Sequence, residues 1–433
     1  MEPVAHTHDT PTTRIVMVLR SETALIRVAL GAVALHIADD NYLQPAPGTS
    51  AGDHLAGGLV PLAILAAVAW LYPRPRAGIR AAIAFGLGLF GIVVGIEGVY
   101  YTTKGAPSGD DFTGLAAIPA GVVVLGLGAR TLWRSRRRGG SRLWRYLRRS
   151  LLAVGGLVGL YLVVFPVAFA YVVTHTARGF VPAADLGAAH VDVSFTTGDG
   201  LELRGWYIPS RNRAAVIAFP GRSGPQRPAR LLARHGYGVL LFDRRGEGES
   251  EGDPNAFGWQ GDRDLEAAVA FLQRRPDVDP ERIGGIGLSV GGEMLLDAAS
   301  ELEGLKAVVS EGAGIRSMRE VLDIPETRAL IEGALVYAVV TPAVALFSSS
   351  LPPPSLTDLI GKIAPRPVFL VYAVPGQGGE AELNETFYEA AGNPKEIWKV
   401  PGAGHTGGID AQPAEYERRV IAFFDQALLG SAR

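Results

Sequence analysis

The sequence predicts two architectures in one chain: an all-helical apolar N-terminal half, followed by an α/β half built on a mostly parallel sheet. Three observations carry this. Hydrophobic residues make up 48% of the 433 residues and charged ones 19%, with a positive mean hydropathy, a balance suited to a protein partly in lipid. Four apolar runs, 55–72, 79–100, 114–133 and 151–173, are each near the roughly 20 residues that cross a bilayer core. After Val173 charge returns, and short β-branched runs alternate with helical patterns.

In the first half a fifth run, 24–38, carries Arg27 and His36 and predicts either a span with polar ends or a helix at the interface. Glycines recur through these runs, as in Phe85-Gly86-Leu87-Gly88-Leu89, which suits close helix packing in lipid. Glu97, near the outer end of its run, fits headgroup level or, as the alternative, a polar pathway. Orientation follows from the loops, because basic residues are retained on the cytoplasmic side. The link from Arg134 to Arg149 and the one around Arg74, Arg76 and Arg80 are basic, whereas the loops ADDNYLQPAPGTSAGDH and YTTKGAPSGDDF are acidic or nearly neutral. With Arg14 and Arg20 inside, five crossings place the C-terminal half outside: an integral protein of a bacterial plasma membrane with an extracytoplasmic domain. The basic link predicts headgroup contact rather than nucleic-acid binding, and a net charge of −2 points to no nucleic-acid partner. The absence of cysteine excludes disulfides, thiolate zinc sites and a cysteine nucleophile, and is neutral as to compartment. The expected boundaries are a membrane domain at 1–173 with four to five transmembrane helices, a linker at 174–189 and the α/β domain at 190–433.

In the second half VDVSFTT and LELRGWYI, joined through Gly198-Asp199-Gly200, predict an opening antiparallel hairpin. The strands AAVIAFPG, GVLLFD, RIGGIGL, KAVVSE, PVFLVYA and EIWKV then alternate with helices. Gly287-Leu288-Ser289-Val290-Gly291 is a GxSxG between a predicted strand and a predicted helix, where a nucleophilic serine would sit on a sharp turn. In a chain with 55 glycines the motif alone is weak, and a plain glycine-rich turn is the alternative. His405, in the loop after the last predicted strand, can act as its general base. His235 precedes Gly236 and fits a helix C-terminus.

With the order serine, acid, histidine, residues 191–429 resemble the α/β-hydrolase family. Phe219-Pro220-Gly221-Arg222-Ser223-Gly224 is similar to that family's HGxxG loop with proline for histidine, and Asp243-Arg244-Arg245-Gly246-Glu247-Gly248-Glu249-Ser250 to its DxRGxGxS turn. The resemblance implies a doubly wound, mostly parallel sheet with a cap insertion, and an oxyanion hole from the backbone N–H groups of Val290 and Arg222. It also implies an acid after PVFLVYA, where the loop holds no aspartate. Glu380 stands nearest the strand end and is the first choice; Glu382, a first-turn helix residue, and Glu311, after an earlier strand, remain open.

Residues 312–365 form the expected cap, whose apolar stretch from Ala334 to Phe347 fits either a lipophilic substrate and the outer leaflet or simple packing on the sheet. A sixth crossing there would separate the sheet's last strands from its first. The function expected is a membrane-anchored serine hydrolase cleaving carboxylic esters, with a small-molecule ester or acyl substrate, the bilayer as partner, and no cofactor or metal. A peptidase or thioesterase of the same fold is the alternative within the class. From another class comes an inactive hydrolase-fold binding module on a transport or sensor domain. Arg222 fits either an exposed loop arginine or a group that recognises a substrate anion.

Overall fold

The computed structural model describes residues 21–105, 107–135, 141–374 and 376–430. Arg14, Arg20 and the middle of the basic link, 136–140, lie outside the described residues. The chain forms two compact units, one of residues 1–45 and 50–172, the other of 46–49 and 173–433.

The first unit is helical: α1 (Glu22–Ala38), α2 (Leu55–Leu71), α3 (Ala77–Val94), α4 (Ile96–Lys104), α5 (Gly109–Arg134), α6 (Arg142–Gly159) and α7 (Phe165–Thr174). Ser21 and Ser141 cap α1 and α6 by accepting backbone N–H groups. Helices α3 and α4 run on as one apolar segment, 77–104, and α6 and α7 as another, 142–174; with α5 these are long and apolar enough to cross a membrane, whereas α2 is shorter. The last run therefore starts inside the basic link, at Arg142, because leucine and tryptophan interleave its arginines. α3 meets α5 through glycines: a Cβ on Gly121 would stand 2.5 Å from the Gly88 carbonyl oxygen, and one on Gly88 would stand 2.8 Å from that of Gly121. Buried polar side chains also find partners within this unit: Asp39 Oδ2 accepts the half-buried Thr113 hydroxyl at 2.8 Å, and His36 Nε2 lies 3.2 Å from the Val94 backbone carbonyl.

The second unit holds an eight-stranded sheet in the order β1-β2-β4-β3-β5-β6-β7-β8. The strands are β1 (Val191–Thr196), β2 (Glu202–Ile208), β3 (Ala215–Phe219), β4 (Gly238–Phe242), β5 (Ile283–Leu288), β6 (Ala307–Glu311), β7 (Val368–Ala373) and β8 (Lys395–Val400). β1 and β2 pair antiparallel, as do β2 and β4, and every other pair is parallel. Strands β3 to β7 are buried along their whole length because helices cover both faces, whereas β8 at the edge alternates. The covering helices are α8 (Arg227–Arg234), α9 (Gly261–Gln273), α10 (Val290–Ala299), α11 (Met318–Leu322), α12 (Thr327–Phe347), α13 (Leu356–Leu359), α14 (Glu380–Ala390), α15 (Gly408–Ala411) and α16 (Pro413–Phe424). One core layer includes Leu272, Leu295 and Phe387; the other includes Leu232, Tyr416 and Phe424.

Helices α11 to α13 form the insertion between β6 and β7. Within α12, residues 330–347 reach the length and apolarity of a membrane span. β6 and β7 nevertheless pair directly, Val308 with Val368 and Glu311 with Val371, so a single crossing between them would tear the sheet. α12 is a cap helix.

Candidate active site

Parallel pairing sets Leu288 beside Glu311 and Glu311 beside Val371, so the chain leaves β5, β6 and β7 at one edge of the sheet. This carboxyl end is where open α/β sheets build their sites. Ser289 follows β5 with φ 52 and ψ −126, a left-handed conformation that costs a non-glycine residue energy. Its tight turn needs missing side chains on either side. A Cβ on Gly287 would stand 2.3 Å from the Gly291 carbonyl carbon, and one on Gly291 would stand 2.5 Å from Phe219 Cβ.

The loop after β8 brings His405 to the serine, with Nε2 2.9 Å from Ser289 Oγ. On the other side of the ring, Nδ1 lies 2.7 Å from Glu380 Oε2. Glu380 is fully buried and also accepts the Ala373 N–H at 2.7 Å on Oε1, which fixes its carboxylate to the end of β7. The Glu380 hydrogen bond raises the pKa of His405 above the usual imidazole value, against the opposing effect of burial. With Nδ1–H donated to Glu380, the Nε2 lone pair is left to accept the serine proton.

The other acids have different partners. Glu311 is buried and accepts the Gly408 N–H at 2.7 Å and the Tyr416 hydroxyl at 2.9 Å; burial raises its pKa. It anchors the chain just beyond His405. Glu385 accepts the Tyr372 hydroxyl, and Glu382 stays half-buried on α14. Glu380 itself is the first residue of α14, so the distinction drawn between a loop acid and first-turn acids does not hold.

Arg222 differs from both expectations. Its backbone N–H donates to Asp243 Oδ1 at 2.9 Å and so is already engaged, which argues against an oxyanion donor there. Its guanidinium is neither exposed nor open to a substrate anion: it is buried, bound to Asp243 at 2.7 Å and Glu249 at 2.9 Å, and lies over Trp206. Val290 is the first residue of α10, where an N–H has no partner within the helix. His235 closes α8, with Nε2 2.8 Å from Glu417.

A second group near the serine carries no sequence motif. Glu293, one helical turn beyond Ser289, accepts the Gly314 N–H at 2.8 Å, and burial pushes its pKa up to about 7. Arg316, also buried, pairs with Asp297 at 2.6 Å and Glu320 at 3.3 Å and donates to the Pro354 carbonyl at 2.7 Å. It thereby ties both ends of the cap to α10. The i, i+4 placement of Glu293 from Ser289 and of Asp297 from Glu293 was the one available hint.

Sequence comparison agrees with this architecture. The model of the X-Pro dipeptidyl-peptidase (S15) family matches residues 172–352, which take in Ser289 and the cap helices α11 and α12 but end before α13, Glu380 and His405. The uncharacterized protein Rv2307c of Mycobacterium tuberculosis is 34% identical over 240 residues, 53% of this chain and 77% of that protein. The chain has the α/β-hydrolase fold. The thiohydrolase aneE of Aspergillus aculeatus is 30% identical to this α/β-hydrolase over 210 residues, 46% of the chain and 61% of that protein. Among solved structures, the Pyrococcus furiosus esterase Pf2001 is 26% identical with a TM-score of 0.47, covering 59% of this hydrolase and 98% of that chain.

Proposed function

We propose that the protein is a membrane-anchored serine hydrolase that cleaves carboxylic esters through an acyl-enzyme. The observation that carries this is the continuous hydrogen-bonded line from Ser289 through His405 to buried Glu380. As Ser289 Oγ bonds to the ester carbonyl carbon, its proton passes to His405 Nε2, and the imidazolium is stabilised by Glu380. Collapse of the tetrahedral intermediate breaks the bond to the alkoxy oxygen, which leaves as the alcohol with the proton from His405. Water, deprotonated by His405, then attacks the acyl-enzyme and releases the acid. The Val290 N–H is the donor we assign to the oxyanion.

The apolar helices of the first unit support anchoring, and the basic loops support an extracytoplasmic hydrolase unit in a bacterial plasma membrane. The peptidase named by the matching family model and the thiohydrolase relative keep peptide and thioester bonds as the second reading, since the same three groups serve acyl transfer from nitrogen or sulfur.

Labelling of detergent-solubilised protein with a fluorophosphonate tests the reading. Wild type should label, and Ser289→Ala and His405→Ala should not. A folded wild type that fails to label would overturn it and favour a binding role. Ester, thioester and peptide substrates run side by side on the labelled protein then separate the bond types.

A further inference from the structure

The cap helix α12 has two apolar faces where a soluble surface helix has one. Its inner face is packed: Val340 and Val344 are buried, Thr341 accepts the Met318 N–H at 2.8 Å, and the Tyr337 ring stands 6.3 Å from Phe257. The next residue, Gly258, lies so close to Val290 that an added Cβ would stand 2.7 Å from its side chain. One layer of side chains therefore separates α12 from the residue that follows Ser289. The outer face carries Ile331, Leu335, Ala338 and Pro342, at helical spacing and all exposed, with Ile331 and Leu335 at 55% and 53%. The stripe is about 17 Å long at 1.5 Å per residue. Leu351, beyond the helix, is 86% exposed. The charged pair of the helix, Arg328 and Glu332, is confined to its first turns.

What covers this face is indicated by where the chain enters the unit. The long apolar segment 142–174 ends at Thr174. Just there, the Val173 carbonyl accepts the Ala256 N–H at 2.7 Å, next to Phe257, and the His175 ring stands 6.2 Å from Phe347 at the end of α12. Residues 173–175, where the chain enters this unit, and the cap are thus fixed to the same loop and to each other.

We propose that α12 lies in the bilayer interface with Ile331, Leu335 and Pro342 among the lipid chains, and that this places the Ser289 site at the lipid phase, where its substrate is an ester carrying a long acyl chain. The assignment of an ester rests on the function proposed above; the lipid contact does not. An interfacial helix buries its apolar face about 5 to 10 Å into the headgroup and acyl boundary, which a stripe of this kind fits.

The full chain, reconstituted in phosphatidylcholine vesicles, allows the test, and with no native cysteine a single label is simple to place. A nitrobenzoxadiazole probe on Leu335→Cys should be blue-shifted and quenched by lipid bearing a nitroxide on its acyl chain. The same probe on Glu281→Cys, an exposed acid of the same unit, should not. Equal, water-like emission from both sites would overturn the proposal. The double variant Ile331→Glu with Leu335→Glu should lose about tenfold or more in hydrolysis of a long-chain ester dissolved in the vesicles, while keeping wild-type turnover of p-nitrophenyl butyrate. Unchanged rates on both esters would overturn lipid-phase uptake. Failure of the hydrolase reading itself would show separately, as no butyrate turnover and no fluorophosphonate labelling in wild type, and the quenching result would still decide the lipid contact.

Discussion

Glu380 meets the His405 ring, while Glu311 holds the following loop through Gly408 and Tyr416. The two should therefore separate in pH profiles. The proposed mechanism requires neutral His405, so activity should fall as pH drops through its pKa, which Glu380 holds above the usual imidazole value. Glu380→Gln should lower that pKa, move the acid limb of kcat/KM to lower pH, and reduce kcat by about 10²- to 10⁴-fold. Glu311→Gln should leave the limb within a few tenths of a unit; a reversed pair of results would move the acid role to Glu311. Glu293 gives a prediction on stability. Its pKa rises from the ordinary 4.5 to about 7 on folding, so between those values the folded state keeps a proton that the unfolded chain has released. Stability from this group is full below pH 4.5 and lost as pH climbs through 7. Glu293→Gln should thus stabilise the protein above neutral pH, on the order of 2 kcal/mol, with little effect at pH 4, as denaturant titrations at the two pH values would show. At this scale Ser289 and His405 were legible because a motif and a loop position mark them. For the acid, nearness to the strand end favoured Glu380 but left Glu382 and Glu311 open, and the partner of the Arg222 N–H, Asp243, lies 21 residues away, beyond any local pattern.

The turn from β5 into α10 is the element on which the site depends. Gly291→Ala would press a Cβ against Phe219 in β3, and a cost of about 1 to 3 kcal/mol is expected, measurable as a lower unfolding midpoint with labelling weakened in proportion. Gly287→Ala, facing backbone rather than a side chain, should be worse. The strands were readable because β3 to β7 are continuous apolar runs bounded by turns, and the hairpin of β1 and β2 because its turn carries two glycines. Helix limits were less so. α6 begins among the arginines of a stretch that its charge alone marks as a loop, since charge sets topology while the interleaved Leu143, Trp144 and Leu147 permit a helix. The cap showed its apolar composition in the sequence, but the clamp of Arg316 onto Asp297, Glu320 and Pro354 joins residues up to 38 apart and left no local trace.

For the whole molecule, the direct pairing of β6 with β7 requires that the chain before and after the cap lie on the same side of any membrane. With the proposed orientation, Glu281→Cys and Glu396→Cys should both react with a membrane-impermeant maleimide in cells stripped of their outer layers. Protection of both would reverse the orientation, and protection of one alone would contradict the sheet itself. The division into an apolar helical half and an α/β half was plain from composition, because long apolar runs give way after Val173 to short β-branched runs among charged residues. The fragment 46–49, which belongs with the second unit although it lies between α1 and α2, was not, since nothing in four polar or small residues records a distant partner.

The twisted backbone at Ser289 also bears on how a silent version of this protein would behave. Glycine occupies φ 52 and ψ −126 far more readily than serine. Ser289→Gly should accordingly melt higher than wild type while labelling not at all, a gain of about 1 kcal/mol or more released by giving up the hydroxyl. On the proposed mechanism, the serine at this one position would hold the fold away from its own thermal optimum, the strain being the cost of presenting a hydroxyl there.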